Sequence, residues 1–137
     1  MLKREIKVTD LEGVERVEIC YFNLTKAEIM EMEMSYPGGL SGAIRDIVAA
    51  QKETELVKIF KNLILKAYGV KSADGRYIEK SEALSERFSH TEAYSILFME
   101  LATDAEKAAE FINGITPSDI DTSKIELDDS LLPKTDN

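Results

Sequence analysis

Two short runs of alternating apolar and polar residues near the start of the chain predict a β-hairpin over residues 5–22. The alternation extends from Ile6 to Thr9 and resumes from Val17 to Phe22, with the two-residue period of a strand. Between the runs, Asp10 to Gly13 supplies turn residues, since Gly13 can adopt a positive φ. Because a single hairpin is only marginally stable, we expect it to pack on helices or to pair with another chain.

Beyond the hairpin, apolar residues recur at spacings of three and four, which predicts a helical part over residues 25–114. The strongest pattern lies between Glu53 and Tyr68, and Gly69 is the expected C-terminal stop of that helix. Other helices are predicted from Lys26 to Met34 after a Thr25–Glu28 capping box, around Leu40, Ile44, Ile47 and Val48, and from Glu82 to Phe88 after Ser81. Two more helices are predicted. The first is capped by Ser89 or Thr91 and carries Tyr94, Leu97, Phe98 and Leu101 on one face. The second begins at a Thr103–Glu106 capping box, ends at Asn113-Gly114 and carries Ala105, Ala108, Ala109 and Ile112 on one face.

Together these elements predict an α+β fold that is mostly α, with the N-terminal β-hairpin packed on a compact bundle of about five to six short helices. The turn residues Ser72 to Gly75 add a small second hairpin or an Ω-like loop within 70–78. We expect a single globular domain over residues 1–116. Residues 117–137 hold six acids and two bases without any periodicity, which predicts a flexible acidic tail.

The charge of the chain restricts its partners. The formal net charge is −9, and its lysines are interleaved with acids, so we expect no binding to nucleic acid. The N-terminus lacks the apolar core of a signal peptide, and the apolar runs are too short to cross a bilayer. Cys20 is the only cysteine, which fits a reducing compartment. These features lead us to expect no membrane partner and a location in the cytoplasm.

The residues that carry chemistry are few and scattered. His90 is the only histidine, and a turn or cap role is the favoured interpretation because no ligand cluster accompanies it. Cys20 is expected as a core or edge residue of a strand. We therefore expect no enzyme activity, no catalytic residue, no cofactor and no metal site. An enzyme would require a buried cleft that joins His90, Cys20 and a carboxylate.

Methionines provide the best candidates for partner binding. Met30 and Met34 share one face of their predicted helix, and Met99 follows Phe98 on a later one. Flexible thioether side chains suit surfaces that accept varied apolar partners. These four residues form the predicted partner-binding set, whereas ordinary core filling is the favoured interpretation of the methionines.

Several motifs carry a family resemblance. The segment Phe22–Glu28, of sequence FNLTKAE, follows the hairpin, and Tyr68–Arg76, Thr91–Tyr94, Leu97–Asp104 and Phe111–Ile115 follow in order. In order and spacing, the chain resembles the tail assembly chaperones of long-tailed, siphovirus-like bacteriophages. The resemblance implies binding of the tape measure protein, which such chaperones keep soluble in the host cell until the tail tube polymerises. It also makes the tail tube protein and further copies of the chain candidate partners.

The family is often expressed in a short form and a frameshifted longer form, and this chain looks like the short form. A different class of protein remains open. The same small helical module could be a structural component of the virion, in the tail or at the head–tail connector. An assembly chaperone leaves before the particle is complete, whereas a structural component stays in it.

Overall fold

A computed structural model describes residues 1–36, 38, 39, 42, 46 and 49–117. The predicted helix around Leu40, Ile44, Ile47 and Val48 and the predicted tail after Pro117 lie outside these described residues. The described elements are β1 Leu2–Thr9, β2 Glu15–Phe22, α1 Lys26–Met34, α2 Glu53–Ala67, β3 Tyr68–Lys71, β4 Ile78–Glu79, α3 Glu82–Ser89, α4 Glu92–Thr103 and α5 Ala105–Ile115. The strands form one antiparallel sheet of order β1-β2-β3-β4. The predicted α+β fold, with a hairpin packed on helices, is confirmed.

The first hairpin follows its predicted pattern closely. Its register pairs Leu2 with Phe22 and Thr9 with Glu15. Gly13 has a φ of 81° in the turn, where the Asp10 carboxylate accepts hydrogen bonds from two backbone amides, both at 2.9 Å. The buried face of the hairpin carries Ile6, Val8, Cys20 and Phe22. The helices therefore cover only one face of this sheet, and Cys20 is a core residue as expected.

The first helix is attached at its N-terminus. The predicted capping box is present, with the Thr25 hydroxyl accepting from the Glu28 amide at 3.2 Å and the Glu28 carboxylate accepting from the Thr25 amide at 2.9 Å. Lys80 Nζ donates to the Glu28 carboxylate at 2.8 Å and to the Asn23 carbonyl at 2.5 Å. The ion pair joins the start of α1 to the connection between β4 and α3.

Gly69 has a different role from the predicted one. Helix α2 ends at Ala67, and Tyr68 and Gly69 begin β3 by pairing with Phe22 and Tyr21. A Cβ atom at Gly69 would lie 2.5 Å from Ile78 Cγ1 and 2.7 Å from the Glu79 carbonyl oxygen. The helix does end at the predicted place, with Gly69 at its C′ position, but the glycine has no positive φ and instead permits the close approach of β4.

The last helix also differs from its prediction at both ends. Its N-cap is Asp104, whose carboxylate accepts from the Glu106 and Lys107 amides at 3.0 and 3.2 Å. Thr103 is still in α4, where its hydroxyl donates to the Met99 carbonyl of the same helix at 2.6 Å. The predicted Thr103–Glu106 capping box is therefore wrong. Gly114 does not end α5 either, because the helix continues to Ile115 with the Leu2 side chain packed 3.0 Å from where a Cβ of Gly114 would be.

The core is organised around one aromatic ring. The Phe22 ring centroid lies 5.2 Å from that of Phe111 and 5.8 Å from those of Tyr68 and Phe88. Tyr68 and Phe88 stack with centroids 3.9 Å apart. The predicted stripe of α4 joins this core through buried Leu97 and Leu101 and partly buried Tyr94 and Phe98, and α5 contributes buried Ala108, Phe111, Ile112 and Ile115. Helix α5 thus packs through a large aromatic residue as well as through an alanine.

Candidate partner-binding site

A cleft of about 450 Å³ lies between the end of the first hairpin and the corner where α3 meets α4. Its buried apolar wall comes from Val8, Cys20, Phe88 and Ala93. The remaining lining residues are Thr9, Asp10, Leu11, Glu18, Ile19, Tyr68, His90, Thr91 and Glu92. The cleft thus combines a buried apolar wall with polar and charged residues around it, an arrangement found in binding sites.

The helical side of the cleft is a tight corner made by two caps. His90 is the C-cap of α3, with its backbone amide directed at the carbonyls of Arg87 and Phe88. Thr91 is the N-cap of α4, and its hydroxyl accepts from the Tyr94 amide at 3.2 Å. The cap role expected for His90 is confirmed. The corner contributes Phe88 and Ala93 to the same cleft that Val8 and Cys20 of the hairpin line.

The cleft also brings together Cys20, His90 and the carboxylates of Glu18 and Glu92 as lining residues. No local pattern in the sequence indicated this juxtaposition. Burial chiefly, with a smaller contribution from the charge of Glu18, raises the pKa of the Cys20 thiol to about 11, and the charge of Arg4 opposes this rise. The thiol is therefore protonated near neutral pH and is a poor nucleophile. No group of metal-ligating side chains occurs in the part of the chain that the structure describes.

One strand edge adjoins the cleft. Within the described residues, β3 pairs with β2 only at Tyr21 and Phe22, after which Val70 and Lys71 pair with β4 instead. No described strand pairs with the stretch Glu15–Cys20 on the side opposite β1. This stretch is the open edge of β2, and its main-chain groups are available to a partner.

The charges around the cleft are mostly acidic. Asp10 forms an ion pair with Arg16 at 2.6 Å, and hydrogen bonds from Arg16 and from backbone amides lower the pKa of its carboxyl. Glu18 and Glu92 form no ion pair with another described residue, and the lining contains no lysine or arginine. The rim of the cleft is thus negative.

The predicted partner-binding residues lie elsewhere. Met30 and Met34 on α1 are 65% and 80% exposed, and Met99 on α4 is 52% exposed. Phe98 is partly buried against the core, 5.9 Å from the Tyr94 ring. The three methionines are accessible and Phe98 is mainly a packing residue, so partner binding by this set stays a prediction.

A second groove, of about 620 Å³, separates α1 from α2 and α3. Buried Met32 and partly buried Leu65 line it beside the Glu28–Lys80 ion pair. Ordinary core filling therefore describes Met32, which lies on the opposite face of α1 from the two exposed methionines.

Exposed methionines, a cleft with an apolar wall and an open strand edge lie on one small α+β fold, and such features are typical of proteins that bind other proteins. Among the described helices, none combines the length and apolar composition needed to cross a membrane. The chain belongs to the phage tail assembly chaperone family, because the model of that family matches residues 1–134. The resemblance carried by the sequence motifs is therefore confirmed, and the protein is a bacteriophage protein of tail assembly. Comparison with curated proteins and with solved structures found no match.

Proposed function

We propose that this chain binds the tape measure protein and keeps it soluble until tail tube subunits polymerise around it. The observation that carries the proposal is the family match over residues 1–134. The binding takes place in the cytoplasm of the bacterial host, with the tail tube protein and other copies of the chain as further partners. Chaperone activity of this kind requires binding and release but no catalysis.

The surface of the molecule supports this proposal. Met30 and Met34 form an exposed pair one turn apart on α1, and flexible thioethers accept apolar side chains of different shapes. The net charge of −9 would keep a complex with an apolar client from associating with other complexes. We assign the first contacts with the client to Met30, Met34 and Met99, with Phe98 as support from beneath.

Co-expression tests the proposal directly. The tape measure protein of the same phage is expressed with and without the chain, and its soluble fraction is measured. We expect a rise with the wild-type chain and a smaller rise with the double variant Met30→Lys/Met34→Lys. Tyr77→Lys is the matched control, because Tyr77 is 61% exposed and outside the predicted set. An unchanged soluble fraction, with both proteins well expressed, contradicts the proposal.

Mass spectrometry of purified virions separates the chaperone from the structural alternative. A chaperone departs before the particle is complete, so we expect the chain to be absent or far below the copy number of tail proteins. Its presence at a fixed stoichiometry would instead identify a component of the tail or of the head–tail connector.

A further inference from the structure

The open edge of β2 has its main-chain groups in a defined orientation. Beyond the end of β2, the Asn23 amide donates to the Ala67 carbonyl at 2.8 Å, on the side of β3. Since hydrogen-bonding direction alternates along an antiparallel strand, the amides of Ile19, Val17 and Glu15 point to that same side. β3 reaches only as far as Tyr21. Within the described structure, the amides of these three alternate residues therefore point out from the open edge of β2. This edge and the adjoining cleft are together called the opening.

The cleft reaches this edge. Glu18, Ile19 and Cys20 are consecutive, yet all three line it. Successive side chains of a strand point to opposite faces, and the buried Cys20 side chain is on the face covered by helices, so Ile19 contributes through the strand edge. An extended segment placed along β2 would therefore have the apolar wall of the cleft directly beneath it.

The edge of β1 is a less suitable binding site. β1 is the first strand of the sheet, and its exposed face carries Lys3, Glu5 and Lys7 in alternation. Alternating charges on an edge strand oppose pairing with another strand. The inner face of β1 is covered by α4 and α5, with Arg4 bound to both carboxylate oxygens of Glu100 at 3.0 and 2.8 Å. The exposed face of β2, in contrast, carries the apolar side chains of Val17 and Ile19.

We propose that this opening binds an extended segment of a partner protein, which adds to the edge of β2 as a strand, places an apolar side chain in the cleft and directs lysine or arginine towards Glu18 and Glu92. The occupant is defined by the chemistry of the site. The open amides select an extended backbone, the wall of Val8, Cys20, Phe88 and Ala93 selects an apolar side chain, and the unpaired acids select basic neighbours. The proposal goes beyond the proposed function, since it holds for whichever protein supplies the segment.

A labelled synthetic peptide of nine residues, alternating lysine with valine and leucine, is the probe. Its binding to the full chain is measured by fluorescence anisotropy. We expect saturable binding that weakens by about tenfold or more in the double variant Glu18→Lys/Glu92→Lys. The matched control is Glu79→Lys/Glu110→Lys, which changes the net charge equally at exposed positions outside the cleft and is expected to bind as the wild type does. An equal loss in both variants, or no binding by the wild type, overturns the proposal.

Hydrogen exchange distinguishes strand addition from attraction by charge alone. With peptide bound, we expect the amides of Glu15, Val17 and Ile19 to exchange at least about tenfold more slowly, because they gain hydrogen-bond partners. A peptide of the same sequence with alternate backbone nitrogens methylated should bind weakly and give no such protection. Tight binding without protection in β2 would refute the proposed strand addition. These outcomes are independent of the solubility of the tape measure protein. Failure of the strand-addition proposal can therefore be distinguished from failure of the proposed chaperone function.

Discussion

At the scale of single residues, Gly69 shows how a correct prediction of a helix end can miss the role of the residue. A glycine directly after a long apolar helix normally indicates a helix stop. Here the residue has no positive φ and instead belongs to β3. A glycine is needed here because the Ile78 side chain approaches the Gly69 backbone closely. The sequence around Gly69 gives no sign of this contact.

Substitution of Gly69 by alanine tests this role. The added Cβ would meet the Ile78 side chain at 2.5 Å and the Glu79 carbonyl oxygen at 2.7 Å, and the backbone oxygen cannot rotate away. We expect the free energy of unfolding in urea to fall by about 2–3 kcal/mol. Gly42→Ala is the control, because open space surrounds Gly42, and we expect a change within about 1 kcal/mol. Equal effects of the two substitutions would show that the contact with β4 is unimportant.

The thiol of Cys20 gives a prediction for alkaline pH. Its pKa is raised from 9.0 to about 11, chiefly by burial, so the folded state favours the protonated form. This stabilisation is complete below pH 9 and is lost as the pH rises towards 11, by about 2–3 kcal/mol in total. We expect the free energy of unfolding to decline more steeply over this range for the wild type than for Cys20→Ala. Parallel pH profiles of the two proteins would contradict the raised pKa.

At the scale of secondary-structure elements, α1 illustrates which contacts are local and which are not. Its capping box is fixed by residues three apart, so the sequence predicted the bounds Lys26–Met34 correctly. The ion pair between Glu28 and Lys80 joins residues 52 apart in sequence and depends on how β4 leads into α3. Glu28 thus caps its own helix and also anchors that helix to the sheet.

The pH dependence of the Glu28 pair follows from its pKa. Burial raises the pKa of this carboxyl. Hydrogen bonds from Lys80 and from the backbone amide and side chain of Thr25, together with the Lys80 charge, outweigh burial and lower the pKa below 4.5. The contribution to stability is therefore present above pH 4.5 and is lost as the pH falls through the lowered value. We expect Glu28→Gln to cost about 1–2 kcal/mol at pH 7 and less at pH 3. Glu31→Gln is the control, because its ion pair with Lys66 is longer, at 3.6 Å, and more exposed.

At the scale of the whole molecule, the sequence predicted elements better than it predicted the site. The hairpin, its turn at Gly13 and most helix bounds follow from periodicity and capping, which act over a few residues. The cleft joins Cys20 with His90, and these meet only because the sheet and the α3–α4 corner face each other. The exposed methionines could be proposed from composition, whereas the open edge of β2 depends on where β3 turns away.

The boundary of the folding unit remains a prediction that can be tested on the whole chain. Every described buried residue lies at or before Ile115, which supports the proposal that residues 1–116 form the globular domain. Removal of residues 118–137 deletes six acids and two bases, so the net charge changes from −9 to −5. We expect the midpoint of thermal unfolding to stay within about 2 °C of the full chain, since no described core contact is lost. A markedly lower midpoint would show that these residues contribute to the core. A stable truncated domain whose complex with the tape measure protein precipitates would instead assign them the electrostatic role of keeping that complex apart from others.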